Sequence, residues 1–174
     1  MKIKRNLLLG GGLAGLVLLA TQRDNSPTMK EHGSIKAPVY SSSTVPTNMC
    51  SRYVRLAAKD LFGIEYPSAD AWDIRDDQHV KEIVLGDFNS LRRLVDEDKI
   101  TPGMIIGFYN PSSKYNSRAQ EDGAGYTHVM LYVGKDGGEP VLADKFGKET
   151  RVLSLEELSK TKIVPKEAMY ISRD

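Results

Sequence analysis

The chain has 174 residues, with 24 basic and 23 acidic side chains and a formal net charge of +1. Without a basic excess there is no field to attract a polyanion, so the composition argues against a nucleic-acid-binding protein. After removal of a leader, about 130 residues could fold, which is enough for one domain with a hydrophobic core.

The first 20 residues are typical of an export signal. Lys2, Lys4 and Arg5 give a basic start, and residues 7–20 form an uncharged run of 14 residues. A membrane-spanning helix needs about 20 apolar residues, whereas the apolar region of a signal peptide is shorter. We therefore expect residues 1–20 to be a cleaved signal peptide or a membrane anchor. The remainder is then exported, to the periplasm or another extracytoplasmic compartment.

Residues 21–46 are polar, rich in Ser, Thr and Pro, and carry no hydrophobic period. This composition is typical of a linker between a membrane and a domain. The predicted organisation is a polar tether over residues 21–46, followed by a single domain over residues 47–174.

An amphipathic helix is predicted at the start of this domain. Apolar side chains recur there at the i, i+3, i+4, i+7 spacing of one helix face. They are Cys50, Tyr53, Val54, Ala57, Ala58, Leu61 and Phe62. Thr47 or Asn48 is expected to cap the helix, and Gly63 is expected to end it.

Cys50 is the only cysteine of the chain, and it falls in the first turn of this predicted helix. The partial positive charge and free amides of a helix N-terminus favour a thiolate and can bind an oxyanion. Exported proteins commonly pair their cysteines. A single one therefore indicates a reactive thiol, an intermolecular link or a small buried side chain.

The middle of the chain changes from a helical to a strand pattern. Apolar residues between positions 80 and 95 keep a helical period that Gly86 interrupts, which predicts two short helices. Residues 104–109 are largely apolar and predict a strand. The polar stretch over residues 110–125 predicts a loop long enough to cover a site.

An antiparallel sheet is predicted for the C-terminal part. His128 opens an apolar run that ends at Gly134, and a turn over residues 135–138 leads to a hairpin partner over residues 140–146. The remaining predicted elements are a strand at 151–153, a helix opened by a capping box at Ser154 and Glu157, and a closing strand at 168–172. The predicted fold class is α+β, with N-terminal helices packed on an antiparallel β-sheet.

Three of these segments, in this order, resemble the NlpC-type papain-like cysteine peptidases and amidases. Residues 50–55 (Cys-Ser-Arg-Tyr-Val-Arg) are similar to the nucleophile helix of that superfamily, and residues 100–106 to its Pro-Gly-Asp segment with the strand after it. Residues 127–134 resemble its histidine strand and the glycine turn that follows. The resemblance covers about residues 45–146 and implies a papain-like, NlpC-type fold in a divergent member.

The resemblance also implies catalytic roles. Cys50 would be the nucleophile, and His128 the general base that later protonates the leaving amine. A polar residue on the next strand would orient the imidazole, and Asp144 is our candidate. A hairpin centred on Asp136 pairs position 128 with Asp144, whereas a centre half a residue later pairs it with Lys145 and turns Asp144 away.

Aromatic side chains are the candidates for substrate binding. Trp72 and Tyr109 are expected to line a groove for a peptide or sugar, or else to be core aromatics. Ser113, Lys114, Tyr115 and Arg118, in the long loop, are expected to meet an anionic peptide or to be solvated. Tyr115 is therefore the third substrate-binding candidate. No cofactor or metal is expected, because the histidines lack ligand spacing and one cysteine cannot build a thiolate cage.

The predicted function is an exported or membrane-anchored cysteine hydrolase that cleaves an amide or peptide bond, with cell-wall peptidoglycan peptides as the expected substrate. One alternative is a catalytically inactive envelope binding module on the same fold. Met49 and Arg52, which stand where many relatives carry Asp and Gly, favour it slightly. Another alternative is a phage-type signal-anchor-release lysin, which the Gly-rich leader permits.

Overall fold

The computed structural model describes residues 28–172 as an α+β fold, the predicted class. The predicted signal at residues 1–20 lies outside the described residues. The strands are β1 (Thr28–His32), β2 (Ile35–Val39), β3 (Val80–Val84), β4 (Ile105–Tyr109), β5 (His128–Asp136), β6 (Glu139–Phe146), β7 (Glu149–Ser154) and β8 (Val164–Ile171). The α-helices are α1 (Cys50–Phe62), α2 (Phe88–Asp96), α3 (Asn116–Glu121) and α4 (Leu155–Ser159).

Six strands form one sheet in the order β3-β8-β4-β5-β6-β7, and every neighbouring pair is antiparallel. The hairpin β1–β2 is a separate two-stranded sheet. Strands β5, β6 and β7 follow one another through short turns. The closing strand β8 lies between β4 and the edge strand β3.

Side chains alternate between the two faces of the sheet, with the period of two that strands impose. The core on one face joins α1 to Ile105, Val129, Leu131, Val141, Ala143 and Met169. The core on the other face joins α2 and α4 to Ile106, Phe108, Met130, Leu142 and Ala168. The prediction that the Cys50 helix packs across the sheet is confirmed by its contacts with β5 and β6. The second predicted helix, α2, lies on the opposite face.

The C-terminal end of α1 was predicted correctly, whereas the N-terminal cap was not. Gly63 ends the helix in the left-handed conformation, at φ 68°, as expected. The predicted cap is wrong, since Met49 precedes the helix and no side chain caps it. Asn48 is instead left-handed, at φ 63°, and its N–H donates to the carbonyl of Gly147 at 3.2 Å. This bond ties the start of α1 to the turn between β6 and β7.

Two other predicted elements are corrected. The first of the two helices expected between residues 80 and 95 is the strand β3, whose backbone groups pair with β8. Val80 and Val84 are four residues apart, which is the spacing of one helix face. In the structure they do not form one buried face, because Val80 is buried whereas Val84 is 81% exposed. The loop expected over residues 110–125 contains the short helix α3.

The region predicted as a tether also carries ordered structure. The hairpin β1–β2 packs on β5 and β7, and Ala37 is completely buried. Asp136 accepts hydrogen bonds from the Ser34 N–H at 3.0 Å and from its hydroxyl at 2.7 Å. The domain therefore includes residues from position 28 onward, and the boundary expected at residue 47 lies too late in the chain.

Candidate active site

Three elements bring Cys50, His128 and Asp144 together. Cys50 is the first residue of α1, His128 the first residue of β5, and Asp144 lies near the end of β6. Cys50 and His128 line the same pocket, and interactions with the His128 ring and the Val129 backbone lower the pKa of the thiol. The packing of α1 across β5 and β6 thus places the only thiol of the chain beside the only histidine that is buried among the described residues.

The imidazole of His128 is held by a buried carboxylate. Its Nε2 lies 2.6 Å from Oδ2 of Asp144, and the two side chains are 8% and 0% exposed. A carboxylate accepts hydrogen bonds only, so Nε2 carries the proton of this bond. Nδ1 is therefore the ring nitrogen that remains for the Cys50 thiol.

The register that achieves this contact is neither of the two considered from the sequence. Asp136 pairs with Glu139 and Gly134 with Val141, but a bulge between Tyr132 and Gly134 shifts the pairing so that Leu131 faces Ala143. Continuing this register places Phe146 opposite His128. Their rings agree with it, meeting edge to face with centroids 5.6 Å apart. Asp144 then reaches His128 from a diagonal position, within the range of such neighbours.

Arg151 is a further member of the site, which the sequence reasoning missed. It faces Asp144 across β6 and β7. Its Nε donates to Oδ1 of Asp144 at 2.9 Å, and its Nη2 donates to Oδ2. The guanidinium also stacks 4.2 Å from the centroid of the Phe146 ring. The signal was present in the sequence, since a two-residue turn at Gly147 and Lys148 pairs position 144 with position 151.

The electrostatics of the site follow from these contacts. Burial acts to raise the pKa of the Asp144 carboxyl, but hydrogen bonds from Arg151 and His128 outweigh it, so the pKa lies below its ordinary value. Burial acts to lower the pKa of His128, yet the bonds to Asp144 and Cys50 raise it to about 9. A protonated imidazole is therefore favoured at neutral pH.

Cys50 shows the complementary shift. Burial acts to raise the pKa of its thiol, but the hydrogen bond and charge of His128, together with the Val129 amide, lower it below the ordinary value of 9.0. Cys50 is a half-buried residue that lines a pocket. A thiolate paired with an imidazolium, partly open to solvent, is the arrangement that makes a cysteine nucleophilic.

Cys50 and His128 lie on the wall of an open pocket of about 220 Å³. Tyr115, one of the three substrate-binding candidates, lines the same pocket, and its side chain is exposed. The end of β6 and the turn after it also line the pocket, together with Asn48, Asn110, Ser113, Lys114 and Thr127. The thiol is therefore accessible to a ligand of peptide size.

The structure does not bring the other two aromatic candidates into this pocket. Trp72 is 5% exposed, its Nε1 donates to Asp122 at 3.1 Å, and its ring packs 6.0 Å from that of Tyr115. Trp72 thus supports Tyr115 from behind. Tyr109 lines a separate, small cavity beside α3. Arg118 lies with its guanidinium 5.4 Å from the Trp72 ring, away from the thiol pocket.

Two further observations concern residues 28–172 as a whole. No group of His, Cys, Asp and Glu side chains in this part of the chain is placed to hold a metal ion. No helix in the same range is long and apolar enough to cross a membrane.

Comparison with known proteins adds no relative to this description. Neither a family model, nor a curated protein, nor a solved structure matches the chain.

Proposed function

We propose that the protein is an exported or membrane-anchored cysteine hydrolase with a papain-like, NlpC-type fold, and that it cleaves an amide or peptide bond in cell-wall peptidoglycan peptides. The observation that carries the proposal is the position of Cys50 and His128 on the wall of one pocket, with Nε2 of His128 bound by the buried Asp144. A thiol, an imidazole and an orienting carboxylate in that order constitute the machinery of nucleophilic acyl transfer.

The geometry supports a two-step reaction. The Cys50 thiolate attacks the carbonyl carbon, and the first amides of α1, which have no intrahelical acceptor, can stabilise the oxyanion. The His128 imidazolium then gives its proton to the leaving amine as the C–N bond breaks. Neutral His128 next removes a proton from water, which attacks the thioester and releases the acid and the thiolate. Asp144 and Arg151 keep the imidazole in one orientation throughout both steps.

The proposed fold rests on the order of elements and on their packing. A helix that begins with the cysteine lies across an antiparallel sheet, and the histidine opens a strand in the centre of that sheet. The proposed cell-wall substrate and envelope location rest on the basic, apolar leader in residues 1–20. The leader also permits the signal-anchor-release lysin. In that case membrane fractionation should show release of the protein when the membrane is depolarised, and permanent retention would exclude it.

The test is digestion of purified peptidoglycan by the full chain, by Cys50→Ala and by His128→Ala, with released fragments identified by mass spectrometry. His79→Ala is the matched control, because His79 is exposed and lies outside the pocket. New fragments from the unchanged chain and from His79→Ala alone would support the hydrolase and identify the bond. Fragments that persist in Cys50→Ala would refute it.

Thiol reactivity separates the hydrolase from an inactive binding module on the same fold. A catalytic Cys50 alkylates rapidly near neutral pH, whereas an inert buried thiol does not. If neither the unchanged chain nor any variant digests peptidoglycan, and Cys50 is alkylated slowly, the binding module is favoured.

A further inference from the structure

The pocket beside Cys50 is lined by positive charge. Lys145 and Lys114 both contribute to its wall, and none of the described lining residues carries a carboxylate. Lys114 is exposed at the mouth, with its ammonium 5.0 Å from the centroid of the Tyr115 ring. Lys145 is only 4% exposed. The thiolate and imidazolium of Cys50 and His128 cancel each other, so the two ammonium groups leave the pocket with a positive balance.

Lys145 lacks a counter-charge within the described residues 28–172. Neither an ion pair nor a side-chain hydrogen bond joins its ammonium to another side chain there. The neighbouring carboxylate of Asp144 is already occupied by His128 and Arg151. The stem of Lys145 is buried, but its ammonium is not among the fully buried side-chain atoms that lack a partner, so it is open to the pocket that it lines. An anionic group of a ligand in the pocket would supply the missing counter-charge.

We propose that Lys145, with Lys114 at the mouth, binds a carboxylate of the substrate beside the scissile bond, so that the site selects acidic peptides. This inference rests on the proposed function. It assigns Lys145 a role in specificity, because a lysine binds a carboxylate by a charge-assisted hydrogen bond that a neutral amide cannot match.

Alkylation tests the inference without any hydrolysis, since Cys50 is the only cysteine of the chain. The full chain is treated with iodoacetate and with iodoacetamide, which differ by one carboxylate. A longer pair, 3-maleimidopropionate and N-propylmaleimide, covers a greater reach. Both reagents of a pair react with the same thiolate, so the thiolate fraction affects both rates equally. The ratio of the anionic to the neutral rate therefore reports only the preference for the anion. We expect the anionic reagent of at least one pair to be preferred, and Lys145→Gln to lower that ratio about tenfold, the size of one charge-assisted hydrogen bond.

Three further variants sharpen the result. Lys145→Arg keeps the charge and should restore the preference, and Lys145→Met retains the apolar stem in case the amide of Gln disturbs the fold. Lys148→Gln removes an exposed lysine outside the pocket and should leave the ratio unchanged. Equal ratios for the unchanged chain and for both neutral Lys145 variants, in both reagent pairs, would overturn the inference. Rapid reaction of the neutral reagents in the same experiment would still support an activated thiol. A thiol that no reagent alkylates would overturn the proposed function, and the inference with it.

Discussion

The substitution Asp144→Asn removes the charge that holds His128 while keeping the size of the side chain. The imidazole then faces Arg151 without a carboxylate between them, and the two cations disfavour each other. We expect the pKa of His128 to fall, the imidazolium to lose its proton near neutral pH, and the Cys50 thiol to lose the partner that stabilises its thiolate. The nucleophile should therefore be weaker at pH 7 than in the unchanged protein.

The magnitude follows from the pKa of His128, which the site raises from 6.5 to about 9. Each pKa unit corresponds to about 1.4 kcal/mol, so the imidazolium is favoured by about 3 kcal/mol in total. The hydrogen bond to Asp144 is the largest of the interactions that raise the pKa of His128. Losing it should slow the alkylation of Cys50 by iodoacetamide at pH 7 at least about tenfold, because one pKa unit is a tenfold change in protonation. The rate should recover as the pH is raised toward the ordinary thiol value of 9.0.

Stability should change with a definite pH dependence. The raised pKa of His128 contributes stability that is complete below pH 6.5 and is lost as the pH rises through about 9. The lowered pKa of Asp144 contributes stability that is present above 3.8 and is lost as the pH falls through the lower, folded value. Asp144→Asn should therefore cost most between pH 4 and 6.5, about 3 kcal/mol in urea unfolding, as expected when one partner of a buried ion pair is removed.

Glu167→Gln is the control for this experiment. Glu167 is a buried carboxylate on β8, 7% exposed, and it lies outside the pocket. Its neutralisation should leave the pH profile of Cys50 alkylation unchanged. An Asp144→Asn protein that is folded and alkylates with the unchanged profile would refute the role assigned to the carboxylate.

Three other substitutions, one of them with a matched control, have expected outcomes that urea unfolding can measure. Arg151→Met should cost about 2 kcal/mol, because it removes charge-assisted hydrogen bonds to a buried carboxylate; an unchanged midpoint would contradict the contact. Gly107→Ala should cost about 2 kcal/mol, since a Cβ there would lie 2.8 Å from the Tyr126 ring, whereas Gly86→Ala has room and should cost little. Ser154→Ala breaks the capping box of α4 and should cost about 1 kcal/mol; a loss below experimental error would show that the cap adds nothing to stability.

The elements that the sequence predicted correctly are those whose signals are local. The helix α1 shows a continuous apolar stripe and ends at a glycine in the left-handed conformation. The helix α4 begins at a capping box in which Ser154 and Glu157 satisfy each other. The hairpin β5–β6 turns at consecutive glycines with positive φ. In each case residues within one or two turns determine the conformation.

The strand β3 shows where local signals fail. Its apolar residues have a spacing compatible with a helix, and nothing within the segment distinguishes the two conformations. The decision is made by β8, which lies more than 80 residues later and supplies a hydrogen-bonding partner for the whole length of β3. A pattern in one segment cannot report a partner so distant in the chain.

The three catalytic candidates were predicted from the sequence, but their geometry and the contact with Arg151 were not. Cys50, His128 and Asp144 come together, yet the contact depends on a bulge at residues 132–134 that no sequence rule marked. A shift of one residue turns a side chain to the other face of a sheet, so register decides which group meets the imidazole. Lys145 reached the pocket without facing His128, an outcome that neither predicted register included.

The hairpin β1–β2 offers a direct test of where the domain begins. In a tether every position is solvated, so a charge at any of them would change stability little. In the structure Ala37 is completely buried, whereas Lys30, directly opposite it on β1, is exposed. Ile35 also packs toward Gly134 of β5, where an added Cβ would lie 3.3 Å from its Cδ1.

Ala37→Asp should therefore cost about 3 kcal/mol, since it buries a carboxylate without a partner, and Lys30→Asp should cost less than about 0.5 kcal/mol. Urea unfolding of the two variants beside the unchanged chain makes the comparison. Deletion of the residues before position 45 should lower stability by at least as much as Ala37→Asp, because it removes the hairpin entirely. Equal, small effects of Ala37→Asp and Lys30→Asp would show that residues 28–39 act as a tether after all. The large and unequal effects we expect would make the hairpin part of the folding unit that positions Cys50 and His128.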